Sequence, residues 1–314
     1  MLGYKFDTFE GFATADHAAF EEHKWASNRF NLERMKARAK MDALANAIAS
    51  ELGEAKGELA FRTTLDHPHI FNRNQVRHCW AYLDRADDTR AELTRLVDRE
   101  LALKTKVEDD IPQHHFAIVG VGIDARGVEV FLRLHANASL DRRNLLARLS
   151  DPLEVPQFHA LMSNLPETAE VAVGADSGGL PASVDDTATL VKSLERFTDW
   201  FTITVRYGIQ DPALDPETFP GIAASTVKSL LKVRNFAAWS KENDRLKLAR
   251  AMKEEKKQKA KKKTGLEAGD TVYVTSGLLG GKTGKVMDID HKGRVKVQLG
   301  RVTIDMDPKL LRKQ

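Results

Sequence analysis

Between Asn31 and Leu52 the apolar residues Met41, Leu44, Ile48 and Leu52 recur at three- and four-residue steps, one face of an amphipathic helix. Asp87 to Leu103 repeats the pattern with Leu93, Leu96, Val97 and Leu101, and Asp87 or Asp88 is placed to supply an N-cap oxygen. The rhythm then changes. His115 to Ile123 is apolar and β-rich, and after Asp124-Ala125-Arg126-Gly127 the residues alternate. Val128, Val130, Leu132 and Leu134 take one face, and Glu129, Phe131, Arg133 and His135 the other. Period two around a glycine turn predicts a β-hairpin. Ser139 is expected to cap a helix bearing Leu145, Leu146 and Leu149, and Glu170 to Val173 reads as a short strand. Ser183 with Asp186 resembles a capping box ahead of Leu190, Leu194 and Phe197. Phe201, Ile203, Val205 and Tyr207 alternate with polar residues as a further half-buried strand, and a helix is predicted from about Glu217 to Trp239. Strand pairs joined by tight turns, with helices before and after, indicate an α+β body with a mainly antiparallel sheet over 1–240.

Beyond residue 240 the texture shifts twice. Leu246, Leu248 and Met252 sit among Lys, Arg and Glu, a basic helical linker over 241–265 that becomes almost purely polar from Lys253 to Lys263. From Leu266 to Gln314 glycines stand at 269, 277, 280, 281, 284, 293 and 300, between short valine-rich strands about ten residues apart. That spacing predicts a small, curved β-barrel, because glycine allows the sharp bends at barrel corners.

Composition refines this division. The 314-residue chain is 42% hydrophobic and 30% charged, ordinary values that exclude a wholly disordered or collagen-like chain. The formal charge of +3 is unevenly spread. Residues 241–263 carry eleven Lys and Arg against four Asp and Glu, 264–314 nine against six, and 1–240 twenty-eight against thirty-five. An acidic body therefore carries a basic tail, and the tail alone has the footprint of a polyanion binder. The single cysteine, Cys79, forms no intrachain disulfide, which suggests a reducing compartment. With no basic n-region, no apolar h-region and no run of ~20 apolar residues, the chain reads as cytoplasmic, without a membrane partner.

One segment carries a family resemblance. Gly269-Asp270-Thr271-Val272-Tyr273-Val274-Thr275-Ser276-Gly277, then Gly281-Lys282-Thr283-Gly284-Lys285-Val286, with Asp288-Ile289-Asp290 and Val295-Lys296-Val297 after it, resembles a KOW domain. Such domains occur in ribosomal proteins and NusG-type transcription elongation factors. The resemblance implies an SH3-like barrel whose loop from Ser276 to Lys285 contacts RNA, with Lys282 and Lys285 on phosphates. Near Leu279 and Gly280 this chain lacks the bulky aromatic and the basic residue often found in that loop. Tyr273, pointing out of the barrel beside the loop, is the candidate stacking face. Lys256, Lys257, Lys259, Lys261, Lys262 and Lys263 of the linker would add salt-dependent, sequence-tolerant binding by counterion release. The N-terminal pattern Phe9-Glu10-Gly11-Phe12, Asp16, Phe20 and Trp80 is similar to an uncharacterised bacterial α+β family, which adds no chemistry.

The body offers only sparse catalytic signals. His67-Pro68-His69 with His78 and Cys79 is its densest cluster, but zinc spacing is absent and His78 and Cys79 should face opposite ways on a strand. Asp176-Ser177-Gly178-Gly179-Leu180-Pro181 precedes a helix without the Gly-Lys-Ser/Thr of a P-loop. No metal, cofactor, acid, base or nucleophile is indicated. The expectation is a non-enzymatic, nucleic-acid-associated protein that docks on RNA, the ribosome or RNA polymerase. Two alternatives stand beside it. One is a protein–protein adaptor that uses Leu278 and Leu279 at the loop tip. The other is an enzyme or ligand-binding body targeted to nucleic acid, of toxin, RNA-processing or defence type.

Overall fold

The computed structural model describes residues 4–101, 111–174, 180–181, 186–248, 264–277, 279–290 and 293–314. The chain divides into two compact units, Met1–Arg245 and Leu246–Gln314. No described helix is long and apolar enough to cross a membrane.

The first unit runs α1 (Thr14–Ala18), α2 (Asn31–Leu52), β1 (Leu59–Thr63), β2 (His78–Arg85), α3 (Asp87–Leu101), β3 (Ile118–Asp124), β4 (Gly127–His135), α4 (Ser139–Leu149), α5 (Val155–Ser163), β5 (Glu170–Val173), β6 (Leu180–Pro181), α6 (Thr187–Arg196), β7 (Trp200–Gly208) and α7 (Phe219–Ala237). Its strands form one sheet in the order β1-β2-β3-β4-β7-β5-β6, every described pairing antiparallel. The fold is therefore α+β.

The apolar half of each alternation faces the helices. Val128, Val130, Leu132 and Leu134 of β4 and Phe201, Ile203 and Val205 of β7 are buried with Met41, Leu44 and Ile48 of α2 and Val227, Leu230 and Leu231 of α7. The hairpin turn is closed by Asp124, whose Oδ1 accepts the Arg126 and Gly127 N–H groups. Two buried cations tie the N-terminal segment to α2. Lys40 donates to Asp16 at 2.6 Å and to the Gly11 carbonyl, and Arg34 donates to the Ala19 and Ser27 carbonyls.

Several local expectations are corrected. Asp87 is the first residue of α3, and its carboxylate accepts Arg62 at 2.6 Å. Ala138, not Ser139, occupies the cap position of α4 and makes no side-chain cap bond. Asp186 is itself the N-cap of α6, accepting the Thr189 N–H, while Ser183 lies outside the described residues. The stretch after α7 is not helical at its start. Ser240 to Lys247 bends, and Lys247 takes a left-handed φ of 57°. Asn243 explains why: its Nδ2 donates to the Asn235, Phe236 and Ala238 carbonyls and so caps the end of α7. Residues 241–245 therefore belong to the body. The Lys-rich run 249–263 lies outside the described residues.

The second unit contains β8 (Thr271–Val274), β9 (Thr283–Ile289), β10 (Val295–Leu299), β11 (Val302–Met306) and β12 (Leu311–Lys313), a five-stranded antiparallel sheet in the order β11-β10-β9-β8-β12. Val272, Val274, Val286, Ile289, Val295 and Val297 form its core with Leu266 and Met306. Gly284 is the glycine this sheet requires. A Cβ there would stand 2.7 Å from the Gln298 carbonyl oxygen and 2.6 Å from Leu299 Cδ2, contacts that backbone cannot relieve.

Candidate functional site

Four of the ten nucleic-acid candidates, Tyr273, Ser276, Lys282 and Lys285, lie among the described residues of the second unit. Tyr273, 38% exposed, lies on β8 between Thr283 of β9 and Arg312 of β12. Lys285 stands one row further along the same face, opposite Thr271. The loop between β8 and β9 is folded on its own backbone. The Gly281 N–H donates to the Val274 carbonyl, and the Val274 N–H donates to the Lys282 carbonyl. This leaves Ser276 and Lys282 exposed, and Tyr273 Oη lies 3.9 Å from where a Gly281 Cβ would stand. Arg312, which sequence reasoning missed, completes the group. It lies on a three-residue strand too short to show a period and defined only by its pairing with β8. Among the described residues Lys282, Lys285 and Arg312 form no ion pair with a carboxylate, whereas Lys313 does, with Asp270 at 2.7 Å. Hydrogen bonding from Lys313 holds the Asp270 carboxyl below its usual range.

Leu279 is partly buried against the core of this unit, so it anchors the loop and presents only part of its surface. Leu278 and Lys256, Lys257, Lys259, Lys261, Lys262 and Lys263 lie outside the described residues.

In the body, the candidate metal cluster does not converge. Cys79 faces the core, and burial pushes its thiol up to about 12. His78 faces the opposite side of the sheet, stacked on Trp80 at 3.8 Å. His67 binds Asp66, and His69 caps the short turn at Ile70–Asn72. Among the described residues no three His, Cys, Asp or Glu side chains gather where they could hold a metal ion. Asp176 to Gly179 lies outside the described residues.

The polar half of the sheet alternation instead lines a cleft that no motif announced. On this face the register sets Trp80 beside Gly122, Glu129 and Arg206 across β2, β3, β4 and β7. Gly122 is required there, because a Cβ would stand 2.5 Å from Trp80 Cδ1. Glu129, 3% exposed, is shared by two guanidinium groups, Arg133 and Arg206, each at 2.7 Å. Arg206 also reaches Asp124 at 3.1 Å. Arg133 lies 4.1 Å from the centre of the Trp80 ring. These neighbours tune the charges. Burial pushes Asp124 up, but Arg206 and the Arg126 N–H outweigh it and hold the carboxyl low. Burial, with Arg133 close by, pushes His78 down to about 3, so it is neutral at physiological pH. The cavity over this floor measures about 810 Å³, and Trp25, Trp80 and Trp200 line it. Glu129 and Arg133 were legible as the outward half of the hairpin alternation; their junction with Arg206 and Trp80 arises from strand order alone.

Compared with protein-family models and with curated proteins, the chain matches none.

Proposed function

We propose that the protein is a non-enzymatic, nucleic-acid-associated protein whose C-terminal unit is a KOW-type, SH3-like barrel that docks on RNA, alone or within the ribosome or transcription machinery. The observation that carries the reading is the exposed Tyr273, flanked by Arg312 and set beside Lys282 and Lys285, three cations with no carboxylate partner among the described residues. An aromatic ring offers any base a stacking surface, and unpaired cations around it suit a phosphate backbone. The Lys-rich run at 253–263 adds further positive charge to the chain.

Filter binding of the full-length protein to single-stranded RNA across a salt series tests this. Each phosphate contact on a single strand contributes about 0.7 to the slope of log K against log salt. Replacing Lys282, Lys285 and Arg312 together by Gln should therefore flatten the slope by about 2. Tyr273→Ala should weaken binding about tenfold while leaving the slope unchanged, since stacking is worth ~1–3 kcal/mol per base. Wild-type affinity and slope in both variants would refute the assignment of this face.

A further inference from the structure

We infer that the cleft on the open face of the body sheet binds a nucleotide through its purine base. The cavity, about 810 Å³, lies in the ordinary size range of small-molecule sites. Its charges nearly cancel: four arginines and five carboxylates line it, and Arg206 is already shared between Asp124 and Glu129. A pocket built to grip phosphate would hold several unpaired cations, whereas among the described residues three of the four arginines here already pair with carboxylates and Arg77 donates to Gln75. What it offers is a mixed edge, with guanidinium donors, carboxylate acceptors and the hydroxyls of Thr202 and Thr204 on one floor. A purine edge is mixed in the same way: ring nitrogens and carbonyl oxygens accept, and ring and exocyclic N–H groups donate.

The aromatic content points the same way. Of the four tryptophans in the chain, Trp25, Trp80 and Trp200 line this cavity. Flat rings beside hydrogen-bonding groups are how single bases are held once unstacked. Trp80 is 4% exposed, and its indole N–H has no acceptor; the Arg133 Nε–H on the same floor also lacks one. Buried donors are rarely left unpaired; both N–H groups lie beneath the surface of the floor, so a base-edge acceptor meets them when the floor side chains give way. Burial keeps the stacked His78 neutral, so it adds no cation to the site. A bicyclic base uses this arrangement better than a pyrimidine, because it brings more stacking area and a longer edge. This inference does not rest on the reading of the C-terminal face.

The test is a tryptophan-fluorescence titration of the full-length protein with guanosine and adenosine monophosphates, with ribose 5-phosphate as the base-free control. Saturable quenching by a purine nucleotide, absent with ribose 5-phosphate, is the expected result. Thr204→Phe, which fills the floor, should weaken binding about tenfold or more, the scale of one lost base–aromatic stack. Trp25→Leu, at a half-exposed position, gives a second route to the same loss should the first variant misfold. A variant carrying Tyr273→Ala and Arg312→Ala should titrate as wild type, so failure of the RNA-docking face and failure of the cleft are separately visible. Competition by a purine-rich single strand would identify a base within a strand as the source, and no competition a free nucleotide. Equal quenching by ribose 5-phosphate, or wild-type titration in both cleft variants, overturns the inference.

Discussion

Asp141 gives the sharpest energetic test of the body. It is wholly buried, and all its acceptor capacity is committed. Arg85 donates to both oxygens, at 2.9 and 2.8 Å, the Ala117 N–H donates to Oδ2 at 2.8 Å, and the Trp239 N–H donates to Oδ1 at 2.9 Å. Arg85 in turn donates to the Trp239 carbonyl at 2.7 Å. One carboxylate therefore joins α4, the end of β2, the approach to β3 and the segment after α7. Asp141→Asn keeps the shape but must turn an NH₂ group toward one oxygen's two donors, whichever way the amide is flipped. Breaking a buried ion pair in this way costs about 3–5 kcal/mol, and the stranded N–H groups are part of that figure. The assay is urea unfolding followed by tryptophan fluorescence. All four tryptophans lie between residues 25 and 239, so the signal reports the body alone. Arg85→Met should cost a similar amount, and the double variant should fall short of the sum by up to about 3 kcal/mol, because the two residues act as one unit. The pH dependence has a definite sign. Burial raises the Asp141 carboxyl, but Arg85 outweighs it and holds the group below its unfolded value. Its stabilisation is thus present above about pH 4 and lost as pH falls below that. Asp141→Asn should flatten the acid limb. A loss under about 1 kcal/mol at neutral pH would refute the reasoning, since even one stranded buried donor costs more.

Other measurements follow from the same geometry. His78 stays neutral in the folded protein down to about pH 3, against an ordinary value of 6.5. The unfolded chain thus binds more protons across that window, and stability falls as pH drops through it. His78→Gln should flatten the melting temperature against pH between those limits, and an unchanged slope would exclude the residue as the source. Gly284→Ala drives a Cβ to 2.7 Å from a backbone oxygen. It should abolish the cooperative far-UV transition of the second unit while the fluorescence transition of the body stays in place; a wild-type profile would show that the sheet can yield there.

The two-fold and 3.6-fold rhythms of the chain carried the regular elements. The β3–β4 hairpin, β5, β7, α2 and α7 could be read from spacing, because each buries one face of a single continuous segment, and that requirement is written into the local order of residues. The outward side of the hairpin was legible too, with Glu129 and Arg133 on it. Caps and joints were less so. Asp186 rather than Ser183 caps α6, and Asn243 draws residues 241–245 into the body, because a side-chain oxygen or amide serves whichever backbone groups packing leaves unpaired. The cleft was beyond any local reading. Trp25, Trp80, Glu129 and Arg206 are distant in sequence and meet only because β4 lies between β3 and β7 in the sheet. Arg312 joined Tyr273 in the same way, through a strand defined only by its partner. Local sequence set which residues face in and which face out, since that depends on period. Tertiary structure decided which outward residues share a surface, since strand order is chosen by the packing of the whole sheet.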